Sequence, residues 1–141
     1  AGRSNAGKTT LARKAAAAGV RVLSDDINLV LPQGDGFDAH AVPFTGEFGR
    51  QAESGARAVP VAALVLLEKG PQLRLSRIAA AQAVAGLFAG CPFVNSDARE
   101  TPRLLESLSR LVERVPVARL HVAPEDRFPS ILNRLSRSPW P

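Results

Sequence analysis

The chain has 141 residues, enough for one domain with its own core. Hydrophobic residues make up 45% and charged residues 22%, the balance of a soluble globular protein. No apolar run approaches the roughly 18–20 residues that cross a bilayer, and nothing resembles a signal peptide. The net charge of +5 is spread along the chain, aromatics are scarce and tyrosine is absent, so a nucleic-acid-binding stripe of interleaved basic and aromatic residues is not supported. The lone Cys91 rules out an internal disulfide, fits a reducing, cytoplasmic setting, and reads as a packing residue beside Pro92 and Phe93.

The first stretch, Gly2-Arg3-Ser4-Asn5-Ala6-Gly7-Lys8-Thr9, fills the pattern G-x-x-x-x-G-K-[ST] at every fixed position. Glycines let such a loop bend until successive N–H groups converge on phosphate oxygens. Lys8 adds a mobile positive charge for the β- and γ-phosphates, and the Thr9 hydroxyl can bind Mg²⁺. Gly2, Ser4, Asn5, Ala6, Gly7, Lys8, Thr9 and Thr10 are therefore the candidate nucleotide-binding residues. A helix is expected at once, through the alanine run to Gly19, and its N-terminus favours the anion further. A loop of this kind normally follows a buried strand; only Ala1 precedes it, so the first strand is expected to be missing.

Val20-Arg21-Val22-Leu23 then reads as a short strand ending in Ser24-Asp25-Asp26. The apolar run Ile27-Asn28-Leu29-Val30-Leu31, the turn Gln33-Gly34-Asp35-Gly36 and the alternating Phe37-Asp38-Ala39-His40-Ala41-Val42 predict an antiparallel hairpin. A kinked loop spans residues 43–49, and residues 50–57 lack periodicity and read as mobile. Val61-Ala62-Ala63-Leu64-Val65-Leu66-Leu67 is the most hydrophobic run, expected to be a central strand buried on both faces. Gln72-Leu73-Arg74-Leu75 predicts a short strand, and Ser76 is placed to cap a helix from about Ile78 to Leu87. Thr101-Pro102 starts a helix that Pro116 stops; residues 117–122 form a strand, and Phe128, Ile131, Leu132 and Leu135 mark a final amphipathic helix. The expected fold is one α/β P-loop domain over residues 1–141, a single mixed sheet flanked by helices.

Asp25 and Asp26 form the second chemical feature. At the end of a strand following the first helix they would lie near the phosphate loop, pointing in different directions. One could contact Mg²⁺ while the other takes a proton from an attacking hydroxyl, and two adjacent acids suit a cation. In many P-loop enzymes the acidic group instead closes a separate long hydrophobic strand. Here that strand ends in Glu68-Lys69, with no Asp.

This arrangement resembles HPr kinase/phosphorylase and its relatives, above all the shorter bacterial HPr-kinase-related group. The matching segments are Gly2–Thr9, Leu23-Ser24-Asp25-Asp26, Pro43-Phe44-Thr45-Gly46-Glu47 and the strand at residues 64–68. The resemblance implies an ATP- and Mg²⁺-dependent kinase core that phosphorylates a serine hydroxyl of a protein or peptide, and a homo-oligomer. It assigns phosphate binding to Lys8 and metal ligation to Thr9, with Asp25 beside the base Asp26 and Glu47 completing the metal site. The family's histidine before the loop and its N-terminal domain have no counterpart here. The Gly-Glu-Phe-Gly-Arg-Gln sequence around Glu47 departs from the bifunctional enzymes and speaks against phosphorylase activity. Two rival readings keep the loop: a small-molecule kinase, and a regulatory module that holds ATP without transferring its phosphate. Arg50, Arg57, Arg74, Arg77, His40, His121 and Trp140 read as structural or solvated positions.

Overall fold

The computed structural model describes residues 1–2, 6–25, 27–40, 42, 58–91 and 97–137. Helix α1 (Lys8–Ala17) follows the glycine-rich stretch directly. Its C-terminus closes as the sequence predicts: Gly19 takes φ 77, its N–H reaches the Ala16 carbonyl, and the Val20 N–H reaches that of Ala15. That closure also corrects an expectation. Residues 20–23 form no strand, because the Val20 N–H is committed to the helix end and Val20 itself is exposed. Asp25 therefore sits on an irregular connection, not at a strand end.

The predicted hairpin is present as β1 (Leu29–Gln33) and β2 (Gly36–His40), with Gly34 at φ 54 in the turn. A two-residue strand, β3 (Val59–Pro60), pairs with β2 and was not foreseen. Pro60 has no N–H, which keeps the pairing short. β4 (Leu64–Lys69), β5 (Arg74–Arg77) and β6 (Val117–Val122) form a second sheet. The expected single sheet is thus two three-stranded sheets among the described residues, one antiparallel in the order β1-β2-β3 and one mixed in the order β4-β6-β5. The chain leaves the first sheet at residues 61–63, and the Val61 N–H still bonds the Phe37 carbonyl.

Among the described residues β6 is the middle strand of the second sheet, paired in parallel to β4 and antiparallel to β5, and the other edge of β4 bonds Ala1. Alternation along these strands divides the core in two. Leu66 and Val117 face α2 (Ala80–Ala89) and α3 (Thr101–Arg114), whose Ala83, Leu87, Leu108 and Leu111 are buried with Phe37 of the hairpin. Leu67 and Leu120 face the other way, against Leu11 of α1 and Ile131 and Leu135 of α4 (Phe128–Arg137). The approach of α2 to β4 is close: a Cβ on Gly86 would collide with Leu66 Cδ1. Ser76 lies inside β5 and caps nothing; the N-cap of α2 is Ala79, whose N–H reaches the Gln82 side chain at 3.4 Å. Lys14 Nζ ties α1 to the turn before α4 through the carbonyls of Pro124 and Asp126, at 2.7 and 2.6 Å.

Leu120 is fully buried on the central strand. Leu120→Ala is expected to lower unfolding free energy by about 2–5 kcal/mol, with little change in the denaturant slope, in a urea titration.

Candidate functional site

The glycine-rich loop hangs on the outer edge of β4. The Ala1 ammonium donates to the Val65 carbonyl at 2.7 Å, and the Leu67 N–H donates to the Ala1 carbonyl at 2.7 Å. One residue bonding to two neighbours spaced by two is the pattern of a parallel strand pair. Ala1 thus occupies a strand position beside β4, and the loop departs from the carboxyl end of parallel strands, where ligands bind in α/β sheets. A Cβ on Gly2 would lie 3.0 Å from both the Leu67 carbonyl oxygen and Ala6 Cβ, so the bend is built for glycine.

Gly7, at φ 94, is the N-cap of α1 and offers no side chain to its first turn, where no acidic residue stands either. The N-terminal N–H groups keep their positive end uncovered by any such group. The Lys8 ammonium folds back across the loop and donates to the Gly2 carbonyl at 3.1 Å. Thr9 is half-buried in the first turn and Thr10 is exposed. The structure therefore brings together Gly2, Ala6, Gly7, Lys8 and Thr9; Ser4 and Asn5 lie outside the described residues.

Of the acidic candidates, Asp26 and Glu47 also lie outside the described residues. Asp25 is half-buried, and its Oδ1 is buried without a hydrogen-bond partner. A buried carboxylate oxygen left unpaired is costly, and a cation is one way to satisfy it. Asp25 and the Thr9 hydroxyl are both hard oxygen donors, the class Mg²⁺ takes. Among the described residues no three His, Cys, Asp or Glu side chains gather into a ready metal cage.

Reading by residue type missed a polar cluster on the α2/α3 side of the second sheet. Glu68 ends the apolar part of β4; its Oε1 lies 3.1 Å from Arg119 Nε and its Oε2 lies 3.3 Å from His121 Nε2. The Arg119 contact is close but off the hydrogen-bonding direction, since Arg119 Nε has no aligned acceptor. His121 Nδ1 is buried and unpartnered. The signal in the sequence was the acid closing the longest apolar run, on the strand that pairs in register with residues 119 and 121.

A groove of about 590 Å³ lies between α2 and α3, lined by Val84, Phe88, Leu105, Val112 and Glu113 among others. It is mostly apolar, holds no cation, and does not include the loop. Cys91 donates to the Leu87 carbonyl at 3.3 Å and packs against the core; burial raises its thiol pKa, which suits packing over nucleophilic work. No helix among the described residues is long and apolar enough to cross a membrane. No family model, curated protein or solved structure matches the chain.

Proposed function

We propose that the chain is an ATP- and Mg²⁺-dependent kinase domain that transfers a phosphoryl group to a hydroxyl, in the manner of the HPr-kinase-like enzymes it resembles. One observation carries the reading: Lys8 closes over the Gly2 carbonyl at the uncapped start of α1, beside the carboxyl end of β4. A helix N-terminus with one flexible cation beside it is what a triphosphate requires. The acceptor suggested by the resemblance is a serine of a protein or peptide.

Phosphoryl transfer asks a protein mainly for positioning and charge neutralisation. Binding phosphate would draw the Lys8 ammonium off the Gly2 carbonyl and onto the β- and γ-phosphate oxygens. The first-turn amides of α1 would offset charge on the transferred group. Thr9 and Asp25 would hold Mg²⁺ through their oxygens, with Glu47 added by the resemblance, and the metal would neutralise phosphate charge. Asp26 would accept the proton of the attacking hydroxyl as its oxygen bonds to the γ-phosphorus and the bond to ADP breaks. A regulatory module that only holds ATP shares the loop and differs in having no use for Asp26.

Calorimetry separates these readings. MgATP is expected to bind the wild-type chain, and Lys8→Ala is expected to weaken it about 10- to 100-fold, the worth of one charge-assisted contact. Absence of binding by the folded wild-type chain would overturn the proposal. Asp26→Asn is expected to slow phosphoryl transfer at least about 100-fold while changing ATP affinity less than about threefold. An unchanged rate of ATP turnover in that variant would remove Asp26 as the base.

A further inference from the structure

We propose that a second copy of this chain docks on the face formed by α2 and α3, with the two α3 helices antiparallel across a two-fold axis. The interface uses none of the loop residues, so it stands or falls apart from the kinase reading.

The apolar part of that face comes first. Gln82 is the one polar residue of α2, and a helix that is apolar nearly all round belongs in an interior. Ala83 and Leu87 do turn inward, but Ala81 and Ala85 stand exposed on the wall of the groove of about 590 Å³. On the facing wall Leu105 of α3 is 39% exposed. Apolar surface left in water gains free energy when another element covers it.

Charge decides what covers it. Arg103, Glu106, Arg110 and Glu113 follow one another at intervals of three, four and three residues, which sets them in one stripe along α3, away from the buried Leu108 and Leu111. All four are exposed, and their sign alternates along the stripe. Among the described residues Glu106, Arg110 and Glu113 form no ion pair, although Glu106 and Arg110 stand one turn apart. Arg103 makes a loose surface contact with Glu100, at 3.7 Å. Glu113 also lines the groove, so the stripe borders the apolar surface.

An alternating stripe of this kind is its own complement in one arrangement. A two-fold axis at the level of Leu108 sets Arg103 opposite Glu113 of the second copy and Glu106 opposite Arg110, and the symmetry repeats both pairs. Sliding one helix by a turn brings Arg103 against Arg110, or Glu106 against Glu113. A parallel arrangement opposes each charge to itself. Charge thus fixes both direction and register. In that register the second α3 lies over the mouth of the groove and takes Leu105 and Val112 out of water, giving an apolar centre with a charged rim.

Sedimentation equilibrium of the full chain tests this, with Glu106→Arg, Arg110→Glu and the double variant carrying both changes. The wild type is expected to dimerise with a dissociation constant of about 1–100 µM. Each single variant sets like charges together twice and should dimerise at least about tenfold more weakly. The double variant exchanges the signs and should return to within about threefold of wild type. An equimolar mixture of the two single variants should form a mixed dimer, because every contact then joins opposite signs; that recovery also shows both variants to be folded. Leu105→Lys, which leaves the stripe intact, should weaken dimerisation about tenfold. A wild type that stays monomeric at about 100 µM overturns the proposal and leaves the groove to a different partner. Single variants that dimerise like the wild type overturn it as well. So does a mixture and double variant that stay as weak as the single variants, or an unchanged constant in Leu105→Lys.

Discussion

The parallel pairing of β4 with β6 is the constraint on which the rest of the molecule depends. It places Ala118 and Leu120, both fully buried, on the middle strand of the second sheet, and lets the faces of that sheet gather separate helical layers. Because the two strands run the same way, their carboxyl ends coincide. Leu67 and Glu68 therefore lie beside Leu120 and His121, and the loop, attached to β4 through Ala1 and Leu67, projects from that end. An antiparallel pairing would have brought opposite strand ends together and separated these chemical groups.

From this arrangement the electrostatics of the loop follow. α1 packs its Leu11 against Leu67, Leu120 and Ile131, which aims the helix start at the strand ends. Gly7 caps the helix without a side chain over its amides, and the Lys8 ammonium donates to a backbone carbonyl of its own loop. The carboxylate oxygen Oδ1 of Asp25, buried without a hydrogen-bond partner, is costly as it stands. Proteins tolerate such features where function requires them.

Local chemistry was legible in the sequence wherever the chain itself decides. Gly19 ends α1 because only a residue without Cβ takes φ 77 cheaply, and Gly34 makes the hairpin turn for the same reason. Pro102 starts α3, and the leucine spacing gives its buried face. What failed depends on partners distant in sequence. The β-prone run at 20–23 lost its first N–H to the helix end and gained no ladder. The strand at 64–69 reads as covered on both faces by hydropathy, and its Leu66 and Leu67 do lie in separate clusters on the two sides of the sheet. Two sheets rather than one could not be read from the elements, since pairing is set by register and not by composition. The same holds for Glu68, which was visible as a residue but not as the neighbour of Arg119 and His121.

The central claim is that phosphate binds at the start of α1. Backbone amide NMR spectra titrated with MgATP and, separately, with AMP test it most directly. Binding at the loop predicts the largest MgATP-dependent shifts at Gly2, Ala6, Gly7, Lys8 and Thr9, with AMP, which lacks the β- and γ-phosphates, leaving those amides nearly unmoved. Equal responses to AMP, or shifts centred on the groove between α2 and α3 with the loop amides unchanged, would contradict it.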